Sequence, residues 1–159
     1  MSFDVIGSMP TFAGGEAIVV YNLNSDPAIA TANAYFGDNR ATHASNTATA
    51  ITLTAAKRFP FASPAKRFQV VQYPVTYACD PDPPGTGQLR RYWNYTISTA
   101  QPAPPVTANN TLLAQHVTAC DFSYTTVSQR TAVLALSLQL ARDNESVRLF
   151  QQIHVNNVP

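Results

Sequence analysis

Hydrophobic and polar residues alternate over two long runs at the C-terminal end of the chain. The first run carries a leucine at every second position from Leu134 to Leu140, and after the polar segment 142–146 the period resumes from Val147 to Val155. A period of two places alternate side chains on one face of a β-strand. The pattern therefore predicts a long β-hairpin that buries the leucine row, with its last strand at or near a sheet edge.

Shorter runs of the same kind predict that most of the chain is β structure. The predicted strands span residues 17–22, 50–54, 68–78, 90–97, 121–125, 132–140 and 146–154. A short helix is expected over residues 111–117, after a capping Asn110. Breaker residues predict a long irregular loop over residues 22–45 and a turn at the proline-rich segment 80–87. We therefore expect one mainly β domain over residues 1–159, an antiparallel sheet with long loops and a C-terminal hairpin.

Composition narrows the class of protein. Only 12% of the residues are charged, about half the usual globular share, while 45% are hydrophobic. A net charge of +1 argues against a nucleic-acid partner, which requires a strong basic field. No run approaches the roughly 20 apolar residues of a transmembrane helix, and the opening residues are unlike a signal peptide. These features are typical of the soluble part of a secreted or cell-surface β protein.

The two cysteines, Cys79 and Cys120, are separated by 41 positions, and each lies in or after a strand-like run. They have neither a CxxC spacing nor a nearby His at metal-ligand spacing, so zinc binding is disfavoured. Two interpretations remain open. They form a disulfide, which would place the protein outside the cytoplasm, or they are two buried thiols.

No catalytic constellation is recognisable in the sequence. Nucleophilic catalysis needs a Ser or Cys with a His and an orienting acid, but His43, His116 and His154 lie in three unrelated segments. The chain has only two glutamates, so paired-carboxylate chemistry would depend on its aspartates. We expect no enzymatic activity and no cofactor.

Two small groups of residues are candidates for ligand binding. Arg91 and Trp93 share a predicted strand face that could stack on a sugar or bind a polyanion, although an aromatic face in a core is commoner. A disulfide would bring Asp80 and Asp121 together, with Asp82 close in sequence. Such carboxylates could bind calcium, although turn aspartates more often point into water.

A third group is basic. Lys57, Arg58, Lys66 and Arg67 flank the Phe-Pro-Phe-Ala-Ser-Pro segment at 59–64. This cluster would suit docking of an acidic partner. Its plainer interpretation is a solvated bend that the phenylalanines anchor on the sheet.

Several segments together resemble one known family. They are residues 3–7, 19–22, 59–64, 67–71, 74–79, 91–93, 119–124 and the final His-Val-Asn-Asn-Val-Pro at 154–159. As a set they make the chain similar to the C-terminal part of MshO-type minor pilins, pilin-like proteins of the mannose-sensitive haemagglutinin (MSHA) type IV pilus. The resemblance spans nearly the whole chain.

The resemblance implies an α+β pilin-like head that lacks its N-terminal helix, because family members begin with a prepilin-peptidase site and a long apolar helix. It implies a truncated, soluble periplasmic domain whose full-length form resides in the inner membrane and then joins the pilus. The implied partners are other minor and major pilins, and the implied role is structural, in pilus assembly. An adhesin-like carbohydrate-binding module is the alternative function. Surface loops and an exposed strand edge would carry the assembly contacts.

Overall fold

The computed structural model describes residues 1–24, 26, 28–100, 104–106, 108–127 and 131–156. Within them all regular structure is β-strand, and no helix is long and apolar enough to cross a bilayer. The expectation of a mainly β, antiparallel fold is confirmed. Backbone contacts divide the chain into two compact units, residues 1–73 with 98–100 and residues 74–97 with 101–158. The single domain over residues 1–159 stays a prediction, and each unit is described by itself.

The first unit is a five-stranded antiparallel sheet with the strand order β1-β4-β3-β2-β5. Its strands are β1 (Ser2–Asp4), β2 (Ala17–Val19), β3 (Arg40–Asn46), β4 (Ala50–Leu53) and β5 (Gln69–Val71). Ile18, Ile51 and Leu53 form its buried centre, and apolar residues from the flanking loops pack against them. The unit thus has its own small hydrophobic core.

The second unit is also a five-stranded antiparallel sheet, and its strands follow chain order, β10-β9-β8-β7-β6. They are β6 (Val75–Asp80), β7 (Gly87–Trp93), β8 (Asn109–Thr126), β9 (Thr131–Arg142) and β10 (Glu145–Asn156). Leu89, Val117 and Leu138 are buried at its centre beside the two half-buried cysteines. Three of the strands are long, and this core covers only a small part of them.

The C-terminal hairpin is confirmed as β9 and β10. Arg142 pairs with Glu145, so the turn has two residues, and both Asp143 (φ 51°) and Asn144 (φ 67°) have positive φ. That is the type I′ geometry whose twist matches the flanking strands. β10 lies at the sheet edge, as predicted. Burial of the whole leucine row is wrong, because only Leu138 is buried and its three partners are half-buried.

The helix predicted over residues 111–117 is wrong, because these residues lie inside β8. β8 shifts register against β7 and again against β9 near His116, which has a positive φ of 59°. Such β-bulges interrupt the alternation that would have marked the strand. The loop predicted over residues 22–45 is shorter than expected, because β3 begins at Arg40. The predicted strand 68–78 is split into β5 and β6 at the segment before Pro74.

Candidate interaction surfaces

One face of the second sheet is apolar, and away from its buried centre at Val117 and Leu138 it is open to solvent. Leu134 lies directly opposite Tyr124 on β8 and Ile153 on β10, and Leu136 lies opposite Phe122. Directly opposed residues share a face of the sheet. We call this surface the apolar face and define it by Phe122, Tyr124, Leu134, Leu136, Val147, Leu149 and Ile153.

The apolar face is exposed beyond what a sheet normally tolerates. Phe122 is 42% exposed, Tyr124 53%, Leu149 53% and Ile153 49%. A ring of this size carries roughly 150–250 Å², so the two aromatic residues alone leave about 200 Å² open and the aliphatic side chains enlarge the patch. Contiguous patches of several hundred Å² mark interaction sites on soluble proteins.

The opposite face of the same strands is mostly polar. Asp121, Ser123 and Thr125 alternate with the apolar residues of β8. On the hairpin, Arg148 donates from Nε to the hydroxyl oxygen of Ser137 at 3.1 Å. Phe150 is an apolar exception, 67% exposed on this side. This difference in polarity indicates that the apolar face, and not the polar one, is the side that contacts a partner.

A groove of about 630 Å³ lies over β6 and β7 on the polar side of the sheet. Thr76, Asp80, Arg90 and Tyr92 line it together with Gln88 and Pro104. Arg90 donates from Nε to Gln88 Oε1 at 2.9 Å and from Nη1 to Asn110 Oδ1 at 2.8 Å. The guanidinium is therefore held by neutral amide oxygens.

Arg91 and Trp93 lie on the other side of β7 from this groove. The guanidinium carbon of Arg91 lies 5.0 Å from the centre of the Trp93 ring, a cation–π contact, and both residues are half-buried. The strand predicted over residues 90–97 begins earlier and ends earlier, because β7 spans Gly87–Trp93 and Asn94 has a positive φ of 59°. The Tyr95 hydroxyl hydrogen-bonds to that of Thr76 at 2.5 Å. The Trp93 ring is thus engaged by its own protein.

The basic group lies in the first unit. Lys57 donates from Nζ to the carbonyl oxygen of Gly37 at 2.6 Å, so it stabilises a turn. Arg58, Lys66 and Arg67 are exposed. Ser63, between the two halves of the group, is buried and accepts the backbone N–H of Arg67 at 3.0 Å. Three of the four predicted docking residues are therefore accessible, on a bend that local hydrogen bonds shape.

The loop between β2 and β3 is ordered by side chains that bond its backbone. The carboxylate of Asp38 accepts the N–H groups of Ala32 at 2.6 Å and Asn33 at 2.9 Å. Asn33 is fully buried, and its amide donates to the carbonyl oxygens of Asp26 and Ile29. These contacts replace the sheet hydrogen bonds that the segment lacks.

The second unit is cross-linked. Cys79 and Cys120 form a disulfide with a Cα–Cα distance of 6.6 Å, joining β6 to β8 past β7. The prediction of a disulfide is confirmed. Gly87 begins β7 where these strands converge, and Asp82 there donates its N–H to the carbonyl oxygen of Val117 at 2.9 Å. A Cβ at Gly87 would overlap both groups, so no other residue fits without backbone movement.

The structure does not assemble the predicted calcium ligands into a metal centre. Asp82 accepts a hydrogen bond from the Thr86 hydroxyl, Asp80 lines the groove and Asp121 is exposed. In the described parts of the chain, no three His, Cys, Asp or Glu side chains are grouped closely enough to hold a metal ion.

The titratable residues that catalysis would use have separate structural contacts. The His43 ring stacks on Phe12 at 3.8 Å, and His116 donates from Nδ1 to the carbonyl oxygen of Gly85 at 2.8 Å. Glu16 is 2% exposed and accepts the backbone N–H groups of Ala13 at 2.6 Å and Gly14 at 2.8 Å. The Ala13 hydrogen bond is the main cause of a lowered Glu16 pKa, against the opposing effect of burial. Sequence inspection had given Glu16 no role.

Comparison with known proteins identifies no relative. No family model, no curated protein and no solved structure matches the chain. The functional argument therefore stands on the sequence segments and on the surfaces described above.

Proposed function

We propose that this chain is the head domain of a minor, pilin-like subunit of an MSHA-like type IV pilus, and that it acts in pilus assembly through protein–protein contacts. The observation that carries the proposal is the open apolar face of the second sheet. Its partner must be apolar as well, because the two charged residues on this face of β9 and β10, Arg142 and Glu145, lie beside the hairpin turn at one end of it, and the rest of the face along β8, β9 and β10 carries no charge.

The apolar face has the properties of a surface that is covered in the working assembly. A half-exposed Leu, Ile or Phe gives up roughly 1 kcal/mol of burial free energy, on the scale of about 1.5–3 kcal/mol for a fully buried side chain. Seven such residues on one face would be a costly arrangement in a protein that works alone. In the proposed role the face packs against a long apolar helix, of the kind the pilin resemblance implies, or against a neighbouring subunit.

The other accessible surfaces take secondary roles in this proposal. Arg58, Lys66 and Arg67 form an exposed basic group that would meet acidic residues of another pilin. The proposed location follows from the same role: the inner membrane and periplasm before assembly, then the extracellular pilus. The disulfide supports this location, because stable disulfides belong to oxidising compartments.

A co-purification experiment tests the role. The chain, tagged and mixed with the other minor pilins, is compared with Phe122→Lys and Ser123→Lys. The two positions are neighbours on β8 and both are exposed, but they lie on opposite faces. We expect Phe122→Lys to lose the pilin partners and Ser123→Lys to retain them. Equal retention by both variants would refute the apolar face as the assembly surface.

The groove over β6 and β7 supports a second candidate function, an adhesin-like module that binds carbohydrate. A volume of about 630 Å³ is within the usual range of ligand sites. Among the lining residues, Arg90 offers hydrogen-bond donors, Asp80 offers an acceptor and Tyr92 offers an aromatic ring. Glycan-array binding that Arg90→Ala abolishes, with pilin co-purification unchanged, would favour this alternative.

A further inference from the structure

The outer edge of β10 is a long strand edge without the usual protection against pairing. β10 pairs with β9 over its whole length, Glu145–Asn156, without a register shift, and pairs with no other strand in the described part of the chain. It contains neither Pro nor Gly, and Arg148 is the one charged residue between positions 146 and 153. Natural proteins normally blunt such edges with short strands, prolines, bulges or charges.

The other edges of both sheets carry that protection. β1 and β5 have three residues each, and β6 has six, is preceded by Pro74 and is followed by Pro81. β6 is also tied to β8 by the disulfide. β10, with twelve residues, is about twice the length of a typical strand. The contrast between β10 and the short or proline-flanked edge strands indicates that the β10 edge is available for pairing with another strand.

The side chains of β10 are available for such pairing on both faces. Every residue from Glu145 to His154 is exposed. Val147 is 57% exposed, and Leu149 and Ile153 are about half exposed. An incoming strand would bury these residues and extend the apolar face.

The apolar row of β10 has a pattern that reads the same in both directions. Val147, Leu149, Gln151, Ile153 and Val155 occupy alternate positions, so aliphatic residues are placed symmetrically about Gln151. An antiparallel pair of identical strands has a two-fold axis, and the interface is then self-complementary. With the axis at Gln151, Leu149 of one copy lies opposite Ile153 of the other, and Val147 opposite Val155. Each of these pairs joins two odd-numbered residues of β10. Odd-numbered residues lie on one face of the strand, so all these side chains stay on the apolar side.

We propose that β10 pairs antiparallel with β10 of a second copy of this chain about a two-fold axis at Gln151, which joins the two second-unit sheets into one. On the other face this register places Phe150 opposite Gln152 and Arg148 opposite His154, and it brings no two guanidiniums or carboxylates together. The contact goes beyond the assembly role proposed above and stands on the strand geometry alone. A chain that stays monomeric would refute this self-pairing, but it could still assemble with other pilins.

Disulfide trapping tests both the contact and its register in the full chain. Both native cysteines are already bonded to each other, so an introduced cysteine is the reactive thiol. Opposed Cα atoms lie about 4.5–5.5 Å apart in an antiparallel pair, within the roughly 4.4–6.8 Å range that a disulfide spans. Gln151→Cys should therefore cross-link to itself.

Two matched controls fix the register. Gln152→Cys differs by one position, but its two copies would be offset by two residues along the strand, about 7 Å, in addition to the spacing of about 5 Å between strands. It should not cross-link. Leu149→Cys should cross-link when mixed with Ile153→Cys and not by itself. Equal cross-linking of all variants would indicate random collision and would overturn the proposal.

Sedimentation equilibrium measures the association without a cross-link. One strand edge is smaller than the roughly 800 Å² per partner of a standard interface, so we expect a dimer of twice 17.2 kDa to appear only at high concentration. Leu149→Lys places a charge on the strand edge and should weaken dimerisation at least about tenfold. The fold should persist, with an unchanged far-UV circular dichroism spectrum, because the Leu149 side chain is half exposed. Ser146→Lys is the control. A monomer at all concentrations up to about 1 mM would refute the self-pairing.

Discussion

Removal of the disulfide should destabilise the second unit more than any single exposed substitution. The change is the double variant Cys79→Ala with Cys120→Ala, which avoids both a free thiol and a buried hydroxyl. The two cysteines are 41 positions apart. In the chain-entropy treatment, closing a loop of that size removes about 13 cal/mol/K from the unfolded chain, or about 4 kcal/mol near 25 °C.

The assay can be confined to the unit that carries the disulfide. Trp93, the one tryptophan of the chain, lies on β7 between the two bridged strands. Its fluorescence therefore reports unfolding of the second unit. With a urea m-value of roughly 1–3 kcal/mol/M, a loss of about 4 kcal/mol lowers the midpoint by at least about 1 M.

The wild-type chain under reducing conditions is the matched control and should behave like the double variant. A loss below about 1 kcal/mol in both would refute the entropic reasoning. It would mean that the unfolded chain is already restricted, or that the bridge strains the folded sheet.

Three further outcomes are expected. Gly87→Ala should cost at least about 2 kcal/mol, because the added Cβ meets backbone atoms of Val117 and Asp82 that cannot move aside; a wild-type urea midpoint would contradict this. Leu138→Ala should cost about 2–4 kcal/mol and Leu136→Ala less, since only the first is buried; equal losses in Trp93 fluorescence melts would mean that the two positions are packed alike. Glu16→Gln should destabilise the chain near neutral pH. Because folding lowers the Glu16 pKa below its ordinary value of 4.5, its stabilisation is present above that value and is lost as the pH falls through the folded pKa. Thermal melts of the two proteins should therefore converge in acid, and a constant difference across pH would refute the assigned role.

The hairpin was predictable because the period of two, the polar turn segment and the length of the two runs all indicate the same structure. The leucines from 134 to 140 and the polar Arg142–Ser146 segment predict β9, the turn and β10 in the order observed. What the pattern could not show was depth of burial. A row at alternate positions identifies a face, but on this one face Leu138 is buried beside Leu89 and Val117, whereas Leu134 and Leu136 remain half-buried.

The first half of β8 was not predictable from period. Leu112 and Leu113 place apolar residues side by side, and three register shifts follow before Ala119, two against β7 and one against β9. Bulges displace the alternation by one residue, so that a strand resembles a short helix. A clue was present in the β-branched Thr and Val residues of the segment, which disfavour helix.

The candidate surfaces were only partly visible in the sequence. The disulfide and the accessible basic residues could be named in advance, whereas the groove could not, because Arg90 and Thr76 meet only through the register of β6 with β7. The role of Lys57 was also hidden. Its bond to Gly37 joins residues twenty positions apart across a loop.

Counting pili on cells tests the central claim most directly. In the source organism, the gene is replaced by a version that carries Phe122→Lys, Ser123→Lys or a deletion of residues 1–159, and pili are counted by electron microscopy. The account predicts that Phe122→Lys loses pili as the deletion does, while Ser123→Lys keeps them, with both proteins folded and present at wild-type levels. Normal piliation in the Phe122→Lys and deletion strains, together with loss of binding to a sugar or host surface, would contradict the assembly role and favour the adhesin.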